Sequence, residues 1–186
     1  IDDEQDGLWS YFSKDGSVAE EITFSGGKRD GRSTVWLTPE EKQEEKFYRN
    51  GKLDGPSTFW ENGYRSTMTT YKSDSPEGPW VIWFSNSDQI KEQGFHQKGI
   101  REGLTTYYYE DGTMQREGFF KDGLPDGMWT YWNKKGEKDF DFDFGSGLQH
   151  ISLEDLVERE STFYKLGEDT PFTGIITQEN PEADYL

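Results

Sequence analysis

GLTTYYYEDGTMQREGFFKDGLPDG, residues 103–127, carries the pattern that decides the fold. Leu104–Tyr109 reads as an aromatic strand, Asp111-Gly112 as a two-residue turn, and the run through Phe119 and Phe120 as the returning strand. Asp-Gly between alternating apolar runs is a strong local hairpin signal, because glycine supplies the positive φ of a primed turn. The glycine-punctuated loop 121–127 then delivers the chain to a further strand.

That unit recurs. Anchor glycines stand at Gly7, Gly31, Gly55, Gly78, Gly103 and Gly127, spaced by 24, 24, 23, 25 and 24 residues. Five residues after each anchor is an aromatic side chain: Phe12, Trp36, Trp60, Trp83, Tyr108 and Trp132. Four residues after come Tyr11, Val35, Phe59, Ile82, Tyr107 and Tyr131. Alternation along a strand puts the third and fifth positions on one face and the second, fourth and sixth on the other. The recurrent rings are read as the internal stack. The irregular second-position and sixth-position rings, Trp9, Trp80, Trp129, Phe84 and Tyr109, are read either as a partner or ligand surface that varies along the array or as the core of a thin sheet that has little else to bury. The predicted fold is all-β: an elongated, curved, single-sheet array of successive antiparallel hairpins, since one hairpin cannot bury its own faces.

Three segments follow from the rhythm: an acidic leader over 1–6, six hairpin repeats over 7–147, and a degenerate capping segment with a tail over 148–186. Closing turns are placed at Gly26-Gly27, Asn50-Gly51, Asp74-Ser75, Lys98-Gly99, Asp122-Gly123 and 145–147. The charged insert 39–45 has no turn glycine and reads as a helical turn or a wider loop. In the cap, Ser152 and Asp155 satisfy capping-box spacing with Leu153, Leu156 and Val157 on one face of a short helix; a strand fits equally well. Thr162–Leu166 and Phe172–Thr177 read as a last hairpin.

Composition narrows the function. Only 31% of residues are hydrophobic but 16% are aromatic, and disordered chains are poor in aromatics. Twenty cationic residues against 37 acidic ones give a net charge of −17, which repels phosphate backbones and anionic headgroups. Nucleic acid is therefore excluded as a partner, and a protein with a basic surface is favoured. The chain has no cysteine, hence no disulfide, thiolate metal site or cysteine nucleophile, and no apolar run reaches the length of a membrane span.

No motif calls for a catalytic residue or a cofactor. His96 and His150 lie in different segments, outside any metal-ligand spacing, and no phosphate-binding or nucleophile-elbow pattern occurs. Asp139, Asp141 and Asp143 alternate with phenylalanines in KDFDFDF. On a regular strand they would share a face at roughly 6.6 Å intervals, either as a hard-cation site for an ion such as calcium or as charges that deter edge pairing.

The repeated text resembles the MORN repeat, in the variant found in bacterial proteins of the YwqK antitoxin family. The resemblance rests on Gly7-Leu-Trp-Ser-Tyr-Phe with Asp15-Gly16, Asn50-Gly-Lys-Leu-Asp-Gly-Pro with Phe59-Trp60, Gly78-Pro-Trp-Val-Ile-Trp, Glu117-Gly-Phe-Phe-Lys-Asp-Gly and Gly127-Met-Trp-Thr-Tyr-Trp, with Thr170–Gly174 as a looser echo. It implies a non-enzymatic protein-interaction scaffold, an accessory subunit of a larger assembly. The alternatives are a glycan- or calcium-binding surface protein and an antitoxin-like neutraliser of a partner. The acidic run 1–6 also resembles the tract that follows the lipid-modified cysteine of Bacteroidota surface lipoproteins. That points to a bacterial envelope, outer-surface or secreted setting, with a lipid anchor upstream of residue 1.

Overall fold

The computed structural model describes residues 4–145 in full and, beyond them, the backbone of four short strands. Thirteen strands form one sheet: β1 (Gly7–Phe12), β2 (Val18–Ser25), β3 (Lys28–Trp36), β4 (Lys42–Arg49), β5 (Lys52–Glu61), β6 (Tyr64–Lys72), β7 (Ser75–Trp83), β8 (Ile90–Gln97), β9 (Ile100–Arg101), β10 (Gly103–Tyr108), β11 (Met114–Lys121), β12 (Leu124–Trp132) and β13 (Lys138–Asp143). Each strand pairs antiparallel with its chain neighbour, except that β8 pairs with both β9 and β10, which flank Glu102. No helix occurs among the described residues.

Two irregularities repeat. Within each hairpin the register slips by one residue after the fourth position, leaving Ala19, Gln43, Ser66, Lys91, Gln115 and Asp139 as the extra residues of the returning strands. Such bulges bend a strand and strengthen its twist. Between hairpins, three residues oppose one: Asp30-Gly31-Arg32, for example, face Thr23, and Asp54-Gly55-Pro56 face Phe47. The anchor glycines occupy these wide bulges. Gly55 has φ +130°, and a Cβ built there would stand 2.9 Å from the Phe47 Cβ, so no other residue fits without movement.

The closing turns carry positive φ at both central residues: Gly26-Gly27, Asn50-Gly51, Ser73-Asp74, Lys98-Gly99 and Asp122-Gly123. That is the type I′ signature, whose twist matches the flanking strands. The third turn is therefore Ser73-Asp74, one residue earlier than the sequence reading placed it. At Asp111-Gly112 only the glycine has positive φ, and Gly112 N–H donates to Tyr109 O at 2.9 Å while Tyr109 N–H donates to Thr113 O at 2.8 Å. The loop is thus three residues long, with glycine in the left-handed position, rather than the expected two-residue primed turn. The insert 39–45 is not helical: Leu37 N–H bonds Glu41 O across a loop, and Lys42 onward is strand β4.

Beyond the sheet, β14 (Ile151–Ser152) pairs parallel with β17 (Ile176–Thr177), and β15 (Leu156–Arg159) pairs antiparallel with β16 (Thr162–Lys165). Leu156 and Val157 are strand residues, which removes the helical alternative for them; Leu153 and Asp155 lie outside the described residues. Thr162–Lys165 pairs antiparallel with β15, and most of the predicted last hairpin, residues 166–175, lies outside the described residues. Thr170–Gly174 also lies outside the described residues.

Burial does not follow the recurrent rings. The cross-strand register lines up Trp9, Ile22, Ser33, Lys46, Ser57, Thr69, Trp80, Gly94 and Thr105 as one row across a single face, continuing at β12 and β13 with Trp129 and Phe142. Within it Trp80 and Trp129 are 3% and 2% exposed, and Thr105, Ser57 and Ser33 are equally buried. The fifth-position row is half-buried apart from Trp83, and Phe12 is 65% exposed. The reason is local. Trp80 lies over Gly94 and Trp129 over Gly118, where an added Cβ would fall 2.8 and 2.2 Å from the indoles. Side-chain-free glycines leave room for the two largest residues, and serine or threonine fills the row elsewhere.

Candidate functional site

The face that carries this row also carries cations set against rings. Arg101 lies 4.4 Å from the Trp80 ring centroid, donates to the Tyr107 hydroxyl at 3.1 Å and approaches Glu92 at 3.4 Å. Arg116 lies 4.0 Å over the Tyr107 ring and 5.9 Å from Trp129. Burial pushes the Tyr107 hydroxyl's pKa up, with Arg101 opposing the shift, so the phenol stays a neutral donor and acceptor. His96, tilted against Trp80 at 5.6 Å, has its pKa lowered first by burial and then by Arg101. An imidazole held neutral against an indole is a packing group.

Towards the hairpin loops of the same face the rings and cations open into a groove of about 780 Å³. Phe84, Tyr107 and Tyr109 supply its aromatic walls, Lys91, Arg116 and Lys134 its cations, and Glu92, Glu110, Asp111 and Gln115 its acceptors. Its parts are fixed by the fold. Tyr109 OH donates to Trp132 O at 3.0 Å, and Phe84 N–H donates to Gln89 O at 3.0 Å. The Asp111 carboxylate accepts from Thr113 N–H at 2.8 Å, and that bond holds its pKa below the usual range.

The opposite face bears an apolar stripe. Pro79 pairs across strands with Phe95, and Leu104 with Phe119, while Met128 stands opposite Asp143. Phe95, Leu104, Phe119 and Met128 are between 44% and 55% exposed. Five adjacent strands at roughly 4.8 Å spacing make the stripe about 20 Å long. Beside it run Glu117 and Asp141, one step along their strands.

The five rings singled out in the sequence are thus divided. Phe84 and Tyr109 meet in the groove. Trp80 and Trp129 are core residues with no face to offer a ligand, and Trp9, 42% exposed, stands at the far edge on β1. The sequence named neither the groove's cations, Lys91, Arg116 and Lys134, nor its acceptors, and it placed Tyr107 in the internal stack. Arg116 and Lys134 sit among ordinary surface cations in the sequence, and only their distance from Tyr107 and Tyr109 distinguishes them. The apolar stripe was missed as well, because its members alternate with polar residues that the register alone separates.

Asp139, Asp141 and Asp143 do not stand at even intervals on one face. Asp139 is the bulge residue, which breaks the even alternation the reading required. Asp141 accepts from Lys138 Nζ at 2.5 Å, and the Asp143 carboxylate accepts from Gly145 N–H at 2.9 Å. Among the described residues no group of three or more histidine, aspartate or glutamate side chains could hold a metal ion. Strand β13 is the outer strand of the sheet, and all six of its residues are exposed.

Residues 5–25 and 101–122 match the family model described as MORN repeat variant. These two stretches cover β1 with β2, and β10 with β11, each a whole hairpin. No curated protein matches the chain.

Proposed function

We propose that the chain is a non-enzymatic scaffold that holds a partner protein against the apolar stripe of its sheet. The observation that carries this is the uncovered row Pro79, Phe95, Leu104, Phe119 and Met128, contiguous across five strands of a single layer. The stripe offers apolar area in one line, and its border of Glu117, Asp141 and Asp143 favours a partner whose apolar ridge is flanked by lysine or arginine. The net charge of −17 acts in the same direction by steering a basic partner at long range. Matches to a repeat type associated with protein and membrane interaction support the reading. No helix among the described residues is long and apolar enough to cross a membrane.

The experiment is copurification from the source cells with wild-type protein and with Leu104→Asp/Phe119→Asp, the partner being identified by mass spectrometry. Because Leu104 and Phe119 stand directly opposite across strands, circular dichroism checks that the variant is folded, and Phe119→Asp alone serves as the second variant. Loss of one basic partner, with wild-type binding weakening as salt rises, supports the proposal. Retention of every partner by the folded variant overturns it. A bacterial envelope or surface setting is part of the same proposal, and fractionation of source cells tests it.

A further inference from the structure

We infer that the groove between β8, β10 and the loops after β7, β10 and β12 is a binding site for a carboxylate-bearing sugar, a uronate-type oligosaccharide. It lies on the face opposite the apolar stripe, so it is independent of the protein-docking proposal.

Three observations converge. Lys91, Arg116 and Lys134 all line the groove, yet none forms an ion pair among the described residues, although the chain holds 37 acids. Arg116 is the most constrained of them: its guanidinium rests on Tyr107, and its Nε is buried with no hydrogen-bond partner. Leaving such a group unpaired is costly, and an anionic ligand offsets the cost. The second observation is the aromatic wall. Phe84, Tyr107, Tyr108 and Tyr109 line a space of about 780 Å³, within the size range of small-molecule sites. Aromatic faces suit the C–H faces of a pyranose, which are apolar although the rim is polar.

The third observation separates this ligand from other anions. Glu92, Glu110 and Asp111 line the same groove, with Gln115, and Glu92 is already engaged by Arg101. A phosphate dianion offers these three carboxylates no hydrogen to accept, whereas sugar hydroxyls do, and the ligand's own carboxylates fall to Lys91, Arg116 and Lys134. A body with many hydroxyl donors, apolar ring faces and one carboxylate per residue uses every type of side chain present. A neutral sugar would give the Arg116 guanidinium hydroxyl acceptors but no charge to pair with, and an apolar molecule would strand the carboxylates.

The test is titration of the full chain with trigalacturonate and with neutral maltotriose, followed by calorimetry and by the chemical shifts of the groove residues. Saturable binding of trigalacturonate is expected, with maltotriose about tenfold weaker or absent, and a loss of about tenfold in Arg116→Gln. Lys91→Gln/Lys134→Gln changes two exposed side chains, and the same direction of loss is expected. That variant decides the matter if Arg116→Gln does not fold. Equal binding of the neutral sugar, unchanged affinity in a folded cation variant, or no binding of trigalacturonate overturns the inference. Failure here leaves partner capture by Leu104 and Phe119 untouched, and the reverse also holds.

Discussion

Trp129 occupies the densest aromatic environment among the described residues. Phe120 and Phe144 meet it edge-on at 5.3 and 5.6 Å, Tyr107 is 6.1 Å away, and its indole N–H donates to Phe119 O at 3.1 Å. Trp129→Ala is expected to cost about 3–5 kcal/mol, whereas Trp9→Ala, on a ring more than two-fifths exposed, costs on the order of 1 kcal/mol. Denaturant unfolding of the two variants measures the difference. Gly118→Ala is expected to cost about 1–3 kcal/mol, because its Cβ would fall inside the indole's contact distance. Because both act on one contact, the cost of Gly118→Ala shrinks in the Trp129→Ala background. His96 gives a pH signature. Its folded pKa lies below the unfolded value of 6.5, so the unfolded chain binds the proton more readily and stability falls as pH drops through 6.5 towards the folded value. The thermal midpoint of wild type relative to His96→Gln is expected to fall over that window, which separates the imidazole from the titration of the many acids. At this scale the sequence revealed which residues were large but not which were buried. Trp80 and Trp129 depend on Gly94 and Gly118, about a dozen positions away, and that complementarity exists only once the register is known.

Glycines of one kind in the sequence perform two jobs in the elements. Gly63 sits in a tight turn at φ +81° with nothing within 4 Å of a Cβ, so Gly63→Ala pays only backbone strain, about 1 kcal/mol. Gly55, in the wide bulge at φ +130°, adds a collision with the Phe47 Cβ, and Gly55→Ala is expected to cost about 2–4 kcal/mol. Chemical denaturation ranks the two, and equal costs would show that the bulge can relax. The 24-residue spacing made every anchor glycine legible, together with the hairpins and most turn positions. Turn type was less so, because Asp-Gly fits both a two-residue primed turn and a three-residue loop, and the same returning-strand bulge accompanies Asn62-Gly63, with both φ positive, and Asp111-Gly112, with only the glycine so. The extra residues that form those bulges, from Ala19 to Asp139, share no chemistry, so no single-sequence pattern could announce them.

At the scale of the molecule, each strand of the 13-stranded sheet pairs with a chain neighbour, except that β8 pairs with both β9 and β10, so its contacts are between successive hairpins. Stability is then a sum of hairpins and the interfaces between neighbours, as in other repeat arrays. Removing one whole unit must leave the rest in register, and removing half a unit must not. Deletion of residues 55–77 takes out 23 residues and joins Asp54 to Gly78, so that a wide-bulge glycine again follows an acid and Trp80 takes the place of Ser57 beside Lys46. The shortened chain is expected to fold to the same strand-rich circular dichroism spectrum. Its denaturant m-value should drop by roughly one eighth, the share of residues removed. Deletion of residues 55–63 alone takes out seven of the ten residues of β5 without β6, brings β4 and β6 together with the wrong chain direction, and inverts every later strand's pairing. Loss of cooperative unfolding is expected there. A globular core assembled from distant parts of the chain would give the opposite ranking, since the larger deletion would remove more of it.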